Sequence, residues 1–471
     1  MTTQIVATDN KKLKIAYIVP SCSVSGGMAV ICQHANRLLR RGHDVIMLSV
    51  VDIKPMDWFP GQKVPIHDAH TWDGELDVVI ATGWSTAFWL PRISARTKCY
   101  FVQSDETRFH PDNSIWQHLT TLTYYFGVHY LTEARWIKTW LKDNFGHDAE
   151  LVPNGLDPEI FHPTEPLRPK GRKPRILLEG AIGLPYKGMR EAFEAVSPLD
   201  VEIWCVSSYG EPQPQWKCHR FFEHVPMQDM KKIYSSCDIL LKLSRVEGFF
   251  GPPMEMMACG GTVVVGRVTG YDEYIVEEEN ALVVDALDIE GARAAVQRLI
   301  DDDALRQRLI EAGAQTARNW DWESSVDTLE TFYQRIVSGA EVPYEASPRG
   351  RYDRCLSYTY ESMVKAAPIL EAMALHEAKQ DHKGNASANA DDSEQSDAAA
   401  EDAAHQEDVE LQASMALLAA RFGPLPPHVL RLADIVIPSR PFAWVANLLR
   451  LAYRPLKKLR LSLNMLKHRL K

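Results

Sequence analysis

The stretch from Ser244 to Gly261, SRVEGFFGPPMEMMACGG, carries two glutamates, Glu247 and Glu255, eight positions apart around a loop rich in glycine and proline. An apolar run precedes it at 238–243, and a second one follows it at 262–266. Short, continuous apolar runs are typical of parallel strands that are buried on both faces. We therefore predict a unit in which a strand, a glycine-proline loop, a helix and a second strand follow one another.

The two consecutive prolines, Pro252 and Pro253, predict that the helix of this unit starts there. Proline suits the first helical turn, because an N–H at that point has no partner within the helix. We expect Glu255 to lie in this first turn, near backbone N–H groups that are free to bind a ligand. Helix N-termini attract anions, so the sequence predicts an anion site here. A solvated helix start with a charged loop is the alternative interpretation.

The motif E-x7-E within EGFFGPPMEMMACGG, with a strand on each side, resembles the signature of the retaining glycosyltransferases of family 4. Enzymes of that family have the GT-B fold, in which two Rossmann-like α/β domains face a central cleft. The resemblance implies that Glu247 contacts hydroxyl groups of the donor sugar and that Glu255 contacts the ribose of a sugar nucleotide. The further residues that it assigns to the donor site are Ser244, Gly248, Phe249 and Gly251.

The N-terminal part of the chain is typical of a βαβ unit, with strands at 14–19 and 44–50 and a helix at 29–41. Two adjacent glycines, Gly26 and Gly27, lie in the first strand-to-helix turn. Glycine there lets a ligand approach backbone that a Cβ would block, although a plain tight turn explains the pair equally well. The arrangement also resembles the opening of family 4 enzymes, which implies that both glycines lie beside the donor and the acceptor.

A buried strand is predicted at 98–103, and the polar residues that follow it are catalytic candidates. Members of family 4 often have a histidine near the end of this strand, beside the reacting sugar. This chain has Gln103 and Asp105 there instead, and we take Asp105 as the catalytic candidate. Glu106 and His129 are further substitutes, but a lone histidine is more often a hydrogen-bonded packing residue.

Two segments of the second half resemble the phosphate contacts of family 4. Lys187, in a glycine-proline loop, matches the lysine that meets the donor diphosphate, where a cation stabilises the charge of the departing group. Gly270 and Glu273 match the G-x-x-E segment of the family, in which backbone N–H groups bind phosphate oxygens. An exposed loop lysine is the alternative interpretation of Lys187.

One cation that the resemblance implies is missing from the sequence. Family 4 enzymes often have an arginine early in the loop that precedes the lysine, and this chain has Ala181 at that position. Arg245, which lies inside the E-x7-E stretch, and Arg267, which follows the second apolar run, are the candidates to compensate.

The bulk properties argue against several classes of protein. The formal net charge of −10 leaves no global basic field for nucleic acid. Eight cysteines without zinc spacing are typical of reduced thiols in a cytoplasmic protein. The resemblance to family 4 implies no metal, and no cofactor beyond the sugar nucleotide as co-substrate. No D-x-D pair ends a strand, which argues against the alternative GT-A fold. The sequence has neither a signal-peptide core nor an apolar run that would span a bilayer.

Composition and pattern divide the 471 residues into five segments. The sequence VPNGLDPEIFHP at 152–163 resembles the crossing between the two domains of family 4, and a linker rich in proline and charge follows it. The predicted segments are an acceptor domain at 1–155, a sugar-nucleotide domain with a return helix at 156–338, a helical extension at 339–380, a disordered acidic linker at 381–410 and a basic amphipathic tail at 411–471.

The end of the chain, 439–471, contains nine Lys or Arg residues and no acidic residue. Its apolar residues recur at intervals of three and four, which predicts an amphipathic helix that breaks near Pro455. Trp444 and Tyr453 are amphipathic aromatic residues of the kind that lie at membrane surfaces. We predict that this tail binds an anionic surface on the inner face of the cell membrane. A docking or coiled-coil helix and a nucleic-acid tail are the alternatives.

Together these features predict a retaining glycosyltransferase that moves a sugar from a nucleotide-sugar donor to a glycan or lipid-linked glycan acceptor. The predicted process is the assembly of cell-surface polysaccharide or glycolipid. The catalytic candidates are Glu247, Lys187 and Asp105. A sugar-nucleotide epimerase of the same fold and a catalytically inactive scaffold are the alternatives, whereas a pyridoxal-phosphate-dependent phosphorylase has no candidate lysine.

Overall fold

The computed structural model describes most of the chain up to residue 363. The described residues are 11–112, 114–339, 344 and 350–363. The first of two compact units ends at Arg351, and residues 352–363 of the second unit are helical. The predicted acidic linker at 381–410 and the basic tail at 411–471 lie outside the described residues.

A seven-stranded parallel sheet forms the N-terminal half of the first unit. Its strands are β1 (Lys14–Val19), β2 (Asp44–Ser49), β3 (Ile66–Asp68), β4 (Leu76–Ala81), β5 (Ala95–Val102), β6 (His129–Thr132) and β7 (Glu150–Leu151). They lie in the order β3-β2-β1-β4-β5-β6-β7. The central strands are buried on both faces, which explains why their sequences are continuous apolar runs.

A six-stranded parallel sheet forms the second half of this unit. Its strands are β8 (Arg175–Glu179), β9 (Glu202–Ser207), β10 (Arg220–Glu223), β11 (Ile239–Lys242), β12 (Thr262–Gly266) and β13 (Leu282–Val284). They lie in the order β10-β9-β8-β11-β12-β13. The two apolar runs around the E-x7-E stretch are β11 and β12, as predicted.

Helices and short 3-10 turns connect the strands. The helices are α1 (Gly26–Arg40), α2 (Trp84–Ala87), α3 (Ile115–Thr123), α4 (Arg135–Phe145), α5 (Met189–Val196), α6 (Met227–Ser236), α7 (Gly251–Ala258), α8 (Ile289–Asp301), α9 (Asp303–Arg318) and α10 (Trp322–Ser338). The 3-10 turns are Leu90–Arg92, Glu106–Phe109, Pro185–Lys187 and Tyr271–Glu273. The E-x7-E stretch thus forms the predicted strand, loop, helix and strand, with α7 between β11 and β12.

The last long helix, α10, follows the second sheet in sequence but packs against the first sheet. Its apolar residues join the core that surrounds β1 and α1. Polar contacts add to this packing. The hydroxyl groups of Tyr17 and Tyr333 lie 3.2 Å apart, and Arg37 donates to Glu323 at 3.0 Å. In the structure, α10 thus packs on the first sheet.

The chain crosses between the two halves twice, and the two crossing segments touch. Leu156 donates its N–H to the carbonyl of Trp320 at 3.2 Å and forms a β-bridge with Asp321. Gly155 allows this approach, because a Cβ on it would lie 2.3 Å from the backbone nitrogen of Trp322. Gly155 therefore serves the close packing of two backbones.

Each sheet has a point at which the strand order reverses, between β1 and β4 in the first sheet and between β8 and β11 in the second. In sheets of this type, ligands bind beside this point, at the carboxyl ends of the strands. Glu179 ends β8, Lys242 ends β11, and Glu247 follows in the next loop. The E-x7-E stretch therefore lies where this architecture forms a binding site.

We expect Gly188→Ala to destabilise the protein by more than a backbone penalty alone. Gly188 has φ +64°, and a Cβ on it would lie 2.1 Å from the carbonyl oxygen of Leu243. Gly42 is the matched control, because its φ is +95° and nothing lies within 4 Å of its Cβ position. In urea denaturation, Gly42→Ala should cost about 1–2 kcal/mol and Gly188→Ala about 3–4 kcal/mol. Equal losses would contradict the predicted clash.

Candidate active site

Glu247 and Lys187 form a largely buried ion pair beyond the carboxyl end of β11. The Lys187 ammonium donates to both carboxylate oxygens at 2.9 Å, and the side chains of Glu247 and Lys187 are 10% and 21% exposed. Burial alone would raise the pKa of the Glu247 carboxyl, but Lys187 and the nearby ammonium of Lys242 hold it below its ordinary value. The structure thus brings two of the predicted site residues into direct contact, with Glu247 as an anion.

A glycine brings Lys187 to this position. Lys187 ends a 3-10 turn, and Gly188 follows it in the left-handed conformation. Because Gly188 has no Cβ, the turn can pack against the backbone of Leu243, just beyond β11. The ammonium uses two N–H groups on Glu247. A lysine ammonium has three, so one is left for a further acceptor.

A second buried ion pair, which the sequence did not reveal, joins the ends of β8 and β11. The ammonium of Lys242, 3% exposed, donates to the carboxylate of Glu179 at 2.5 Å and to its backbone carbonyl at 2.9 Å. Burial would lower the pKa of Lys242, but the attraction of Glu179 and Glu247 raises it. The available signal was a lysine within an apolar strand, because a buried charge needs a partner.

Glu255 lies in the second turn of α7, not in the first turn as predicted, because the helix begins at Gly251. Its Oε2 accepts a hydrogen bond from the hydroxyl of Tyr234 at 2.8 Å. Its Oε1 lies 3.7 Å from the position that a Cβ of Gly251 would take, so the glycine leaves space beside this oxygen. Burial raises the pKa of the Glu255 carboxyl to about 7, although the Tyr234 hydroxyl opposes the shift. Tyr234 was not among the predicted residues.

The start of α7 offers fewer backbone donors than predicted. Gly251 donates its N–H to the carbonyl of Phe249 at 3.0 Å. Pro252 and Pro253 come next, and proline has no N–H. The prolines that favour the helix start therefore remove donors that an anion would need. These three residues do not provide the expected anion site.

Gly270 and Glu273 contact the first domain. A Cβ on Gly270 would lie 2.2 Å from Cδ1 of Trp136 on α4, so this glycine serves packing. The Glu273 carboxylate accepts the backbone N–H of Trp136 at 3.1 Å and pairs with Arg135 at 3.1 Å. The N–H groups of Tyr271 and Glu273 are bonded within their own turn. Gly270 and Glu273 thus make contacts between the two domains, and the expected phosphate contacts of the backbone at this point stay a prediction.

The three candidates to replace the family histidine differ in their surroundings. Asp105 caps the 3-10 turn that follows it, where Oδ1 accepts the N–H of Thr107 at 3.2 Å. Glu106 accepts the N–H of Trp84 at 2.8 Å, and burial raises the pKa of its carboxyl to about 7. His129 begins β6 and lies at the amino end of the sheet, opposite the edge that carries the other candidates.

Gln103, just after β5, faces the N-terminal glycine pair. Gly26 and Gly27 are the first residues of α1, which Ser25 caps. A Cβ on Gly27 would lie 3.0 Å from Oε1 of Gln103, whereas nothing lies within 4 Å of the Cβ position of Gly26. This Oε1 is buried and makes no hydrogen bond within the described part of the chain. The glycine pair therefore leaves space around a buried acceptor.

Neither arginine that was a candidate to replace the missing cation points its charge at the motif. Arg245 pairs with Glu191 at 3.1 Å, and Arg267 pairs with Glu277 at 3.2 Å. Lys242 instead supplies the second positive charge that acts on both motif glutamates. Its position in β11 was not predicted.

The remaining donor-site candidates of the motif are partly occupied with packing. The ring of Phe249 lies 5.6 Å from that of Tyr274 and 5.3 Å from that of Trp320, measured between centroids. The buried hydroxyl of Ser244 lies beside the Glu247 carboxyl and helps to lower its pKa. Gly248 packs against the backbone of Gln103.

Within the described residues, no group of three or more His, Cys, Asp or Glu side chains could hold a metal ion. No helix among the same residues has the length and apolar character needed to cross a membrane.

Residues 215–316 match the family model described as glycosyl transferases group 1. This match covers 102 of the 471 residues of the chain. This segment includes β11, α7 and β12, and with them Glu247, Glu255, Tyr234 and Lys242. Lys187 and the whole first sheet lie outside the match.

Two curated relatives share part of the chain. An uncharacterized glycosyltransferase of Methanocaldococcus jannaschii is 24% identical over 214 residues, which cover 43% of this chain and 58% of the relative. A phosphatidyl-myo-inositol mannosyltransferase of Mycobacterium leprae is 25% identical over 219 residues, which cover 44% of this chain and 59% of the relative. The chain therefore spans less than two thirds of the length of these relatives.

A solved structure shares the fold over a greater length. The Anabaena protein HepE, in complex with UDP-glucose, superposes with a TM-score of 0.56 and covers 69% of this chain and 100% of its own, at 12% identity. Two parallel α/β domains with a returning C-terminal helix are the GT-B architecture. The predicted fold class is confirmed.

Glu255 makes the stability of the protein depend on pH. Its pKa is about 7 in the folded protein against an ordinary value of 4.5, so the folded protein keeps a proton that the unfolded chain has lost between these pH values. The carboxyl contributes stability that is fully present below pH 4.5 and is lost as the pH rises through 7, by at most about 3 kcal/mol.

Urea denaturation at pH 5 and pH 8 checks this prediction with Glu255→Gln, whose side chain is neutral at both values. The free energy of unfolding of the wild type should fall more between the two pH values than that of the variant. All other titrating groups are common to both proteins, so their contributions to the pH dependence cancel in the comparison. If the difference in unfolding free energy between the wild type and the variant were the same at pH 5 and pH 8, the raised pKa would be contradicted.

Proposed function

We propose that this protein is a retaining glycosyltransferase that transfers a sugar from a nucleotide-sugar donor to a glycan or lipid-linked glycan acceptor. The supporting observation is the cluster of Lys187, Glu247, Lys242 and Glu255 at the carboxyl edge of the second sheet, most of it within the segment that matches the group 1 family model. The complex of HepE, a protein of the same fold, with UDP-glucose supports a nucleotide sugar as the donor.

Each member of the cluster would bind a different part of the donor. The anionic Glu247 would accept hydrogen bonds from hydroxyl groups of the sugar. Lys187 would keep Glu247 in place and use its third N–H on a diphosphate oxygen, where it stabilises the negative charge that grows as the sugar departs. Glu255 would accept a ribose hydroxyl on Oε1, because Tyr234 occupies Oε2.

The proposed reaction needs no protein nucleophile. The acceptor hydroxyl attacks the anomeric carbon on the face that the diphosphate leaves, and the bond from that carbon to the phosphate oxygen breaks. The acceptor proton passes to the departing diphosphate. Since the new bond forms on the same face, the anomeric configuration is kept. Because the acceptor proton passes directly to the diphosphate, this scheme assigns no proton transfer to Asp105, whose Oδ1 caps the following turn.

The proposed acceptor is part of a surface glycan or glycolipid. The Mycobacterium leprae relative is a mannosyltransferase of phosphatidyl-myo-inositol, which supports an acceptor with a lipid portion. The basic segment 439–471 would hold the protein against an anionic membrane surface, on the inner face of the cell membrane, where it would meet such an acceptor.

A thermal-shift screen of the full-length protein against UDP-, GDP-, ADP- and dTDP-sugars tests the donor site. A ligand at a hundred times its dissociation constant stabilises the native state by about 2.7 kcal/mol, which raises the melting temperature by several degrees. We expect one nucleotide class to give this rise and Glu255→Ala to abolish it.

Glu311→Ala is the control variant for this screen, because Glu311 lies on the exposed face of α9. It should keep the full rise. If none of the nucleotide sugars raised the melting temperature of the wild type, the proposal would be wrong and the inactive scaffold would be favoured.

The stereochemistry of the product tests the retaining mechanism. With the donor class identified by the screen, we expect the transferred sugar to keep the anomeric configuration that it had in the nucleotide sugar. NMR of the product, in which the glycosidic bond fixes the anomeric configuration, measures this through the one-bond coupling between C1 and H1. A product of opposite configuration would contradict the front-face attack.

A further inference from the structure

Main-chain groups of three consecutive residues, Glu247, Gly248 and Phe249, are bonded to side chains of the first domain. The contacts are that of the Ser104 hydroxyl with the Glu247 carbonyl at 3.4 Å, that of the Trp136 indole N–H with the Gly248 carbonyl at 2.9 Å, and that of the Glu133 carboxylate with the Phe249 N–H at 3.0 Å. The backbone that carries Glu247 is thus held from the other domain.

Two glycines of the second domain allow residues of the first domain to approach closely. A Cβ on Gly248 would lie 1.7 Å from the carbonyl oxygen of Gln103 and 2.9 Å from Oε1 of Glu133. A Cβ on Gly270 would overlap the indole ring of Trp136. Any side chain at either position would push the domains apart, so this contact depends on both glycines.

Near the start of α4, a carboxylate of each domain accepts a backbone N–H of the other domain. Ala134 is the N-cap residue of this helix and makes no side-chain capping bond. Glu273 of the second domain supplies the missing acceptor, on the N–H of Trp136. In return, Glu133 accepts an N–H of the second domain. The contact between the domains thus supplies the capping acceptor of α4 and also holds the loop at 247–249.

Glu133 is well suited to hold this loop. It is 5% exposed, and its second oxygen accepts a hydrogen bond from Asn154 at 2.9 Å. Burial raises the pKa of its carboxyl to about 8, although both hydrogen bonds oppose the shift. Burying a carboxyl is unfavourable unless it is hydrogen-bonded, so the bonds with Asn154 and with the Phe249 N–H keep Glu133 in place.

We propose that Glu133 and Trp136 are positioning residues for Glu247. From the first domain they fix the peptide unit between Gly248 and Phe249, next to Glu247, so Glu247 takes its position in the site only when the two domains are in contact. The inference rests on the proposed function, since that function assigns Glu247 to the donor sugar. Neither residue touches the donor, and each acts through the loop.

Hydrogen–deuterium exchange of the full-length protein without ligand tests the contact directly. Glu133→Ala leaves the N–H of Phe249 without its acceptor, so this amide should exchange about tenfold faster or more. Trp136→Phe keeps a ring over Gly270 and removes only the bond to the Gly248 carbonyl. We expect a smaller rise, of about threefold to tenfold, in the same peptide.

Glu133→Gln is the conservative variant, and its amide oxygen still accepts the N–H of Phe249. Asn154 can turn its own amide toward the new donor, because its Oδ1 is buried and makes no hydrogen bond within the described residues. Exchange at Phe249 should therefore stay within about twofold of the wild type.

Glu106→Ala is the matched control. Glu106 is another carboxyl of the first domain that accepts a backbone N–H, but its partner Trp84 lies in the same domain. This variant should speed exchange at Trp84 and leave Phe249 unchanged. If Glu133→Ala and Trp136→Phe both left Phe249 at the wild-type rate, the proposal would be wrong. Trp136→Phe alone decides the question if Glu133→Ala does not fold.

Kinetics with the donor that the screen identifies separate positioning from binding. Glu133→Ala should lower kcat for transfer, or for hydrolysis of the donor, by about 10-fold to 100-fold. The Kd of the nucleoside diphosphate should change by less than about threefold, because Lys187 and Glu255 belong to the second domain. Glu133→Gln should restore kcat. A raised Kd with unchanged kcat would overturn the inference.

The two proposals fail in different ways. If the wild type bound no nucleotide, the proposed function would be wrong, while the exchange rates would still show whether the first domain holds the loop. If the wild type bound and used a donor but the Glu133 and Trp136 variants exchanged and turned over like the wild type, only the positioning role would be wrong.

Discussion

The positive charge of Lys242, buried at the end of β11, is the constraint on which the site depends. A buried ammonium needs carboxylates, and Glu179 on the neighbouring strand binds it directly. Lys187 then pairs with Glu247. The edge of the sheet thus holds two ammonium groups and three carboxyls. Burial raises the pKa of Glu255, whose side-chain partner is a tyrosine hydroxyl, and the nearby charge of Glu179 adds to the rise.

The glycines of the motif region serve two kinds of contact. Gly188 brings a lysine against a strand of its own domain, and Gly251 leaves space beside a carboxylate oxygen. Gly248 and Gly270 lie against residues of the other domain. In a sequence these four positions are alike, because a glycine shows only that a side chain does not fit. Whether a ligand or another part of the protein fills the space depends on the tertiary structure.

The fold and the two motif glutamates could be predicted because their signals are local. Continuous apolar runs predicted the strands, and the E-x7-E spacing identified Glu247 and Glu255. The partners of these residues could not be found in the same way. Glu133 lies 116 positions from Phe249, and no periodicity or spacing links them. Lys242 was hidden within a strand that is otherwise apolar, and its role appears only when Glu179 is placed beside it.

The contact between the two crossing segments has a mechanical consequence. Gly155 lies against the backbone of Trp322, and the bond from Leu156 to Trp320 ties the segments side by side. Sliding of one segment along the other would break this bond, whereas rotation of the two halves about it, as a pivot, would not. The displacement of any loop grows with its distance from that pivot. Asn154 directly precedes Gly155 and binds Glu133. The carboxylate that holds the loop at 247–249 is therefore tied to a residue next to the pivot, where displacements are small.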